Sequence, residues 1–544
     1  MLRAYYNIFC IFYNSPDQHI PRSIAERGRT LGRIGTSALA LGLALFGALS
    51  PLLTLASLWQ RKEWRWDRLR EHFRSEGMLP SLFGKVRPIV FLGSLLFMVI
   101  QIVPRDAVVL GGLALFTVLT LVQIVLKRQP MPVLTSKAIA IVLVSFGGAI
   151  IAGLLFVRAA LPALLILPLL APFFIVVAWA LLRPLDALLK QRIMARAKAL
   201  RASFTNITVI GITGSVGKTT TKELLAHLLS DQSPLVTPEH VNSEMGVAQW
   251  LIGVLSRRNQ GDRTILIVEM GAYRSGEIAL LCDITAPSIG ILTSIGTQHL
   301  ALFGSPEKLK QAKGELIHAL PTDGLAILNA DSPPVRDLAE SAQCSVILVG
   351  TVNEAQLGAR SVTETPTGIR MEVDGTAYDI PLHGTHNAVN VLLAMAAAEH
   401  LGVTRDRMHT LLATFRPLEK SFTVREERGV TILDATHNAS PESFRAAIAW
   451  AKQQTQEQKV LITPGIIELG TEEEHVHREL GALASGIFTR AIVLHPSKAR
   501  WFGEGFGKDV ARSMDNATPV SAGSLLMCIG RLPSSFIRQL LPHI

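Results

Sequence analysis

Hydrophobic and polar positions divide the chain into two parts of different character. Between residues 36 and 182, apolar runs follow one another with few charges, and most approach the ~20 residues that a helix needs to cross a ~30 Å hydrocarbon core. The runs cover residues 36–59, 88–103, 107–126, 138–157 and 159–182. This succession predicts a transmembrane region of about five helices. The second is short, and Arg158 alone separates the last two, which indicates a tight helical hairpin.

The second part, from residue 207 onward, alternates apolar strand-like segments with amphipathic helices. ILIVEMG, SIGILTSIG and GLAILNAD have the composition of buried strands, and residues 308–320 have the spacing of a helix. Such alternation is typical of an α/β fold built on a parallel sheet. We therefore expect an N-terminal segment at 1–35, an α-helical membrane region at 36–182 and α/β domains at 207–416 and 417–544.

The connecting segment, residues 183–206, is basic and amphipathic. Leu185, Leu188, Leu189 and Ile193 recur at helical spacing between the charges. This pattern predicts a helix that lies along the membrane surface and holds the second part close to the bilayer. A solvated linker helix is the alternative.

The distribution of positive charge favours lipid over nucleic acid as a partner. The formal net charge is +10, but much of the excess lies beside the apolar runs, and the sequence contains no RNA-binding signature. Lysine and arginine flank the spans in the loops 61–87 and 127–137 and after the last run, in residues 183–201. By the positive-inside rule these three segments are cytoplasmic, which predicts a multi-pass protein of the plasma (inner) membrane with cytoplasmic α/β domains.

The N-terminal segment does not fit this topology. With five spans it would lie outside, yet it carries Arg3, Arg22, Arg27, Arg29 and Arg33. Either the first apolar run, which Pro51 interrupts, is a re-entrant hairpin, or the rule fails at this end.

Composition agrees with a chain that has a membrane part and a soluble part. A length of 544 residues exceeds one hydrophobic core, and 49% hydrophobic residues is high for a soluble enzyme. The four cysteines are far apart and form neither a disulfide framework nor a C-x-x-C metal pair, which fits a reducing cytoplasm.

The stretch ITVIGITGSVGKTTTKE, residues 207–223, predicts a phosphate-binding loop for ATP. A β-branched strand leads into a turn with glycines at every third position, and a helix follows. We expect the backbone N–H groups of the turn to face one anion, Lys218 to reach the β- and γ-phosphates, and Thr219 to contact Mg²⁺. Ile212 stands where the strict motif has its first glycine. An ordinary glycine-rich turn is the alternative.

Two further polar residues follow strands of the same predicted sheet. Glu269 ends one strand and His299 follows another. Ligands of open α/β sheets bind at the carboxyl ends of the strands, so both side chains are candidate Mg²⁺ ligands. A lone histidine is more often a surface or packing residue.

Several motifs in a fixed order resemble the Mur ligase family. They are TGSVGKTT, NSEMGV, VEMGAYRSGEI, TQHLALFGSPEKLKQAKGEL, ILNAD, HGTHNAVN, DATHNASPESF and IIELG with HRELG. The chain is most similar to the branch that adds D-alanyl-D-alanine to a muramoyl tripeptide, over about residues 207–544. The resemblance implies a P-loop central domain and a Rossmann-like C-terminal domain.

The resemblance also implies site residues, with Asn387 and Asn390 facing the adenine, Lys313 carbamylated on a second Mg²⁺ and Asp434 in a loop that closes over the nucleotide. The implied nucleotide contacts are Thr213, Gly214, Ser215, Gly217, Lys218, Thr219, Thr220, Asn387, Asn390 and Asp434. The implied metal contacts are Thr219, Glu269, His299 and Lys313. The implied catalytic residues are Lys218, Lys313 and His299.

By the same resemblance, we expect an ATP- and Mg²⁺-dependent amide ligase of cell-envelope metabolism. A substrate carboxylate becomes an acyl phosphate, which the amine of an amino acid or peptide captures. We expect the acceptor to be UDP-linked or lipid-linked. A lipid-linked acceptor is considered because the membrane region stands where relatives carry the domain that binds the UDP-sugar. Lys420 and Ser421 replace the family's Gly-Arg. A nucleotide-gated membrane component or scaffold without ligase activity is the alternative, and the retention of Lys218, Glu269, His299 and Lys313 argues against it.

Overall fold

The computed structural model describes residues 22–296, 300–437, 439–467, 469–508, 510–514 and 518–542. The chain forms two compact units that divide between Leu188 and Leu189. The first unit is helical, and the second contains all the described strands.

Helices α1 to α7 are, in order, Arg22–Arg61, Trp66–Glu76, Met78–Phe83, Arg87–Ile100, Arg105–Val125, Ser136–Ala159 and Ala171–Ala202. A 3₁₀ segment, Leu161–Leu170, precedes α7. In the described part of the chain, four segments are long and apolar enough to cross a membrane, in α1, α5, α6 and the stretch Leu161–Ala202. The second predicted span, residues 88–103, corresponds to α4, whose 14 residues fall short of the ~20 that a bilayer requires.

The helices of the first unit pack through small side chains. On α1, Ala40, Ala44 and Ala48 lie one turn apart and are fully buried. On α6, Ser145, Ala149 and Gly153 form a similar buried row, whereas Leu143 is 65% and Ile151 is 63% exposed. Small residues allow close helix approach, and the outward leucine and isoleucine side chains match a lipid surround.

Three expectations about this unit need correction. Helix α1 continues through Pro51, so the first run is not a re-entrant hairpin. The run after Arg158 begins as the 3₁₀ segment with Pro162 and Pro168, because proline removes the N–H that an α-helix needs there. No break separates the last apolar run from residues 183–202, since α7 continues through Pro184.

The apolar residues of the predicted surface helix divide into two groups. Leu185, Leu188 and Leu189 are about half exposed. Ile193, by contrast, packs with Met194 against the hydrophobic core of the second unit. The end of α7 is therefore a structural part of that unit.

The second unit begins with a nine-stranded sheet in the order β2-β3-β1-β4-β5-β6-β7-β8-β9. Its strands β1 to β9 are Ile207–Thr213, Leu235–Val236, Thr264–Glu269, Ile289–Leu292, Leu325–Asn329, Ser345–Gly350, Leu357–Thr365, Gly368–Val373 and Thr376–Ile380. Strands β1 to β7 pair in parallel, and β8 and β9 extend the sheet as an antiparallel meander. The sequence analysis did not predict this meander.

Helices cover both faces of this sheet with two hydrophobic clusters. Helices α8 to α15 are Lys218–Leu228, Glu244–Leu255, Glu277–Thr285, Leu300–Phe303, Pro306–His318, Pro333–Arg336, Asn387–His400 and Arg405–Leu412. The predicted helix at 308–320 is α12, and the predicted strands containing Glu269 and GLAILNAD are β3 and β5, so these elements are confirmed.

A second sheet follows, in the order β10-β11-β14-β12-β13. Strands β10 to β14 are Thr423–Glu427, Val430–Ala435, Lys459–Thr463, Arg490–Val493 and Leu525–Ile529. Helices α16 to α19 are Pro441–Gln453, Glu473–Ala484, Pro496–Phe506 and Ser534–Leu540. Below, the central domain is the part built on the first sheet, and the C-terminal domain is the part built on the second.

Candidate active site

The glycine-rich loop joins the end of β1 to the start of α8. Thr213 Oγ1 donates to the Met270 carbonyl at 2.8 Å and fixes the end of the strand. Gly214 (φ +146°) and Gly217 (φ +87°) both adopt backbone conformations that other residues rarely adopt. A Cβ on Gly214 would overlap Thr293 Oγ1, and one on Gly217 would overlap Asn390 Oδ1. The loop therefore keeps the close packing that a phosphate cradle requires.

The segment that follows β4 is hydrogen-bonded to this loop. The N–H groups of Ser215 and Val216 donate to Ser294, at 2.7 Å to its carbonyl and 3.2 Å to its hydroxyl. Ser215 Oγ in turn accepts from the Gly296 N–H at 3.1 Å. The expectation that the N–H groups of this turn all face one anion therefore does not hold for these two in this structure.

Lys218 lies over the loop. Its Nζ donates to the carbonyls of Gly214 at 2.8 Å and Ser215 at 3.1 Å. Burial lowers the pKa of Lys218, and the nearby negative charge of Glu269 partly opposes this effect. The ammonium group is thus held where a bound phosphate would meet the loop.

Thr219 and Glu269 come together at the edge of the sheet, as the sequence analysis expects. Thr219 Oγ1 donates to Glu269 Oε2 at 3.0 Å. Burial raises the pKa of Glu269, but the charges of Lys218 and Lys222 and two hydrogen bonds outweigh it, so the net pKa lies below the usual range. An ionised carboxylate beside a threonine hydroxyl has the oxygen chemistry that Mg²⁺ prefers.

Two side chains that the sequence analysis gave no role hold Glu269 in place. Asn242 Nδ2 donates to Glu269 Oε1 at 3.1 Å, and Lys222 Nζ lies 3.4 Å from Oε2. Lys222 is fully buried and also donates to the Thr237 carbonyl. Lys222 follows Lys218 by one helical turn, a spacing from which its position could have been predicted, whereas Asn242 gave no such signal.

Lys313 is buried in α12 in a group of charges that includes the loop lysine. Burial and the charge of Lys218 lower its pKa to about 7, although Glu277, Glu315 and Glu269 act in the opposite direction. Glu315 accepts from the N–H groups of Gly276 and Ala279 at the start of α10, which anchors α12. Near pH 7 a large fraction of this amine is neutral, the form that reacts with carbon dioxide.

Asn387 and Asn390 lie against the loop at the start of α14. Asn390 Nδ2 donates to Asn387 Oδ1 at 2.8 Å, and Thr221 Oγ1 donates to Asn390 Oδ1 at 3.4 Å. Both amides are buried. Their contact with adenine stays a prediction. His299 lies outside the described residues.

Asp434 ends β11 in the C-terminal domain, and its carboxylate is engaged within that domain. It accepts from Arg425 Nη1 at 2.8 Å and from Thr436 Oγ1 at 2.6 Å. The hydrogen bonds of Asp434 lie within the C-terminal domain, and its nucleotide role stays a prediction. The buried His477 accepts a hydrogen bond from the Ile466 N–H and packs within the C-terminal domain.

The segment between the two domains carries the departure from the family pattern. Lys420 (φ +63°) and Phe422 (φ +61°) adopt left-handed backbone conformations that are uncommon outside glycine. Ser421 lines a small crevice together with Thr220 and Pro417. The predicted site residue Thr220 therefore faces this segment.

We expect Asn242→Ala to weaken Mg²⁺-dependent ATP turnover about 10- to 100-fold, the usual cost of removing a group that orients a metal ligand. Without its amide, one oxygen of Glu269 loses its hydrogen bond. The measurement is the Mg²⁺ dependence of phosphate release. Asn259→Ala, at an exposed position, is the matched control. An unchanged Mg²⁺ dependence would show that Asn242 does not orient the carboxylate.

Comparison with known proteins gives consistent matches. The family model described as Mur ligase middle domain matches residues 212–398. The UDP-N-acetylmuramoyl-tripeptide--D-alanyl-D-alanine ligase of Synechocystis is 34% identical over 288 residues, which are 53% of this chain and 61% of that protein. The Escherichia coli K12 protein of the same name is 31% identical over 331 residues, covering 56% of this chain and 70% of that protein.

Solved structures give the same result. MurF from Acinetobacter baumannii matches with a TM-score of 0.59 and 25% identity, over 64% of this chain and 80% of that chain. The MurF ligase of Thermotoga maritima in complex with ADP matches with a TM-score of 0.56 and 27% identity, over 64% of this chain and 82% of that chain. The chain spans about three-fifths of the length of several of the curated relatives that it matches.

Proposed function

The chain belongs to the Mur ligase family, and we propose that it is a membrane-anchored, ATP- and Mg²⁺-dependent amide ligase. In this proposal it joins a muramoyl-peptide-like carboxylate to the amine of an amino acid or a short peptide, in the synthesis of peptidoglycan or a related envelope precursor. The names of the relatives, which specify a UDP-N-acetylmuramoyl tripeptide and D-alanyl-D-alanine, support this substrate class.

The observation that carries the proposal is the Thr219–Glu269 pair beside Lys218 and the buried Lys313. The residues present fit ATP and Mg²⁺, since the loop leaves no room for a Cβ at Gly214 or Gly217 and an ionised carboxylate faces the loop threonine. When bound, ATP supplies the phosphoryl group that activates the carboxylate as an acyl phosphate, and Mg²⁺ screens the charge.

Residues of this chain perform the remaining tasks. Lys218 would offset the negative charge of phosphates in the loop, and Thr219 and Glu269 would hold the metal. Lys313, as its carbamate, would present a second pair of oxygens to a cation. Together they offset the repulsion between a substrate carboxylate and the phosphates, which is the main electrostatic barrier to such a reaction.

The direct test is ADP and phosphate release by detergent-purified full-length protein, measured against a panel of carboxylate acceptors and amines. We expect release that depends on the addition of both substrates, with the ligated product detected by mass spectrometry. Nucleotide binding without amine-dependent turnover across the panel would favour the nucleotide-gated scaffold.

Features of the helical unit support an acceptor that is itself membrane-associated. An apolar cavity of about 690 Å³, a size typical of small-molecule sites, lies within this unit. Its lining residues are Leu55, Trp59, Trp66, Leu69, Arg70, Phe73, Met78, Leu82, Pro172, Phe173, Ile175 and Val176. Arg70 is the charged residue among them, and tryptophan is typical of the membrane interface. The cavity suits the hydrocarbon of a lipid-linked acceptor, with Arg70 beside its phosphate.

We expect full-length protein in liposomes to use a lipid-linked acceptor at least 10-fold more efficiently than a fragment that starts at Leu189 does. Membrane confinement raises the local concentration of such an acceptor. The fragment begins there because Ile193 and Met194 belong to the core of the second unit. The measurement is the kcat/KM of each protein for the lipid-linked acceptor and for a soluble muramoyl peptide. Equal efficiency of the fragment and the full-length protein with the lipid-linked acceptor would show that the helices only tether the enzyme.

A further inference from the structure

We propose that Glu239, His240 and His437 form a binding site for a divalent transition metal of the zinc class, which joins the central domain to the C-terminal domain. One ligand atom from each residue lies within 4.8 Å of the other two. Glu239 and His240 belong to the loop between β2 and α9, and His437 follows β11. This proposal does not depend on the ligase activity.

The geometry of the three side chains suits one cation. Glu239 Oε1 lies 3.1 Å from His437 Nδ1 and 3.6 Å from His240 Nε2. The two imidazole rings stack at 5.1 Å between centroids, with 8° between their planes. Two imidazoles and one carboxylate are a common zinc ligand set, and a water or another small ligand completes the tetrahedron.

The cluster is open to solvent, so a cation can reach it. Glu239 and His240 are exposed, and His437 is half-buried. Transition metals prefer this nitrogen-containing set, whereas Mg²⁺ prefers the all-oxygen set of Thr219 and Glu269.

The backbone around the cluster holds the ligands in position. His240 adopts a left-handed conformation with φ +66°, which is uncommon outside glycine, asparagine and aspartate. The Val241 N–H donates to the Pro238 carbonyl at 3.1 Å and closes a turn around His240. In the C-terminal domain, the His437 N–H donates to the Lys420 carbonyl at 3.0 Å. A metal site whose ligand residues lie on backbone that is already fixed loses less conformational entropy when the metal binds.

A metal bound by these three residues would link the contact between the two domains to Glu269 in the candidate active site. The loop of Glu239 and His240 holds Glu269 through two hydrogen bonds. The Thr237 hydroxyl accepts from the Glu269 N–H at 3.0 Å, and the Asn242 amide donates to the Glu269 carboxylate. His437, on the other side of the cluster, is hydrogen-bonded through its backbone N–H to Lys420 in the segment between the domains. A metal shared by the two domains would therefore stabilise their contact and the position of Glu269.

The test is zinc binding by chelator-stripped, detergent-purified full-length protein in saturating Mg²⁺, measured by calorimetry and, with Co²⁺ as the probe, by visible absorption. We expect one equivalent of Zn²⁺ per chain at this site and a tetrahedral Co²⁺ spectrum. His240→Asn, which tolerates the left-handed backbone, and His437→Ala are each expected to lower the zinc affinity at least 10-fold. His400→Ala, which changes an exposed histidine of the central domain, is the matched control and is expected to bind zinc normally.

Thermal unfolding gives a second measurement that does not require activity. Zinc is expected to raise the melting temperature of the wild-type protein and of His400→Ala but not of His437→Ala, because a ligand that binds only the folded state stabilises it. Absence of stoichiometric zinc binding would overturn the proposal. So would binding that both cluster variants retain, or binding that Glu269→Gln abolishes while the cluster variants keep it.

Discussion

Lys218→Ala is expected to reduce ATP-dependent ligation at least 100-fold while the protein still inserts into membranes and remains folded. The Nζ of Lys218 lies over the glycine-rich loop, bonded to the carbonyls of Gly214 and Ser215. Removal of one group that stabilises transition-state charge typically costs about 10²–10³ in rate. Stability is not expected to suffer, because the variant also removes the cost of burying an ammonium group.

The measurement pairs steady-state turnover with nucleotide binding, so that a defect in chemistry is separated from a failure to bind ATP. Lys198→Ala removes a lysine of the same unit whose ion pair with Asp283 is exposed, and it is expected to leave turnover unchanged. Normal turnover in Lys218→Ala would show that Lys218 does not serve the reaction and would refute the assignment of the glycine-rich loop as the phosphate site.

Lys313→Ala is expected to lose most activity and to regain part of it when acetate or formate is added. The side chain is buried in α12 among Lys218, Glu277, Glu315 and Glu269. If the lysine carries a carbamate, alanine removes two oxygens and leaves a space that a short carboxylate can fill. The measurement is ligation rate against carboxylate concentration, together with the intact mass of the wild-type protein under carbon dioxide.

Two further variants separate the chemistry of Lys313 from its packing. Lys308→Ala removes an exposed lysine of the same helix and is expected to be fully active. Lys313→Arg keeps a buried cation that cannot form a carbamate, so it is expected to be inactive and to resist rescue. Full activity of Lys313→Ala without any added carboxylate would show that this position has no metal role.

The pattern of apolar, polar and glycine residues was sufficient to predict the elements whose formation depends on local spacing. The glycine-rich loop at 214–217, the carboxyl-terminal position of Glu269 in β3 and helix α12 are where the sequence predicts them. Each is encoded within a few consecutive residues, because strand burial, glycine turns and helical periodicity are local properties. Length and hydropathy likewise predicted the apolar helices of the first unit and indicated that the second run, observed as α4, is short for a span.

The sequence by itself therefore determined the order of the elements, the family and the phosphate loop, because these follow from local pattern and from motifs in sequence. Only the tertiary structure decided which side chains meet. It placed Asn242 and Lys222 in contact with Glu269, and Lys313 near the positive charge of Lys218. It also stacked the ring of His240 on that of His437. It also continued α7 into the second unit, where Ile193 packs in a core that helical spacing alone could not distinguish from a lipid surface. These contacts join residues far apart in the chain, and packing between elements, rather than periodicity within them, brings such residues together.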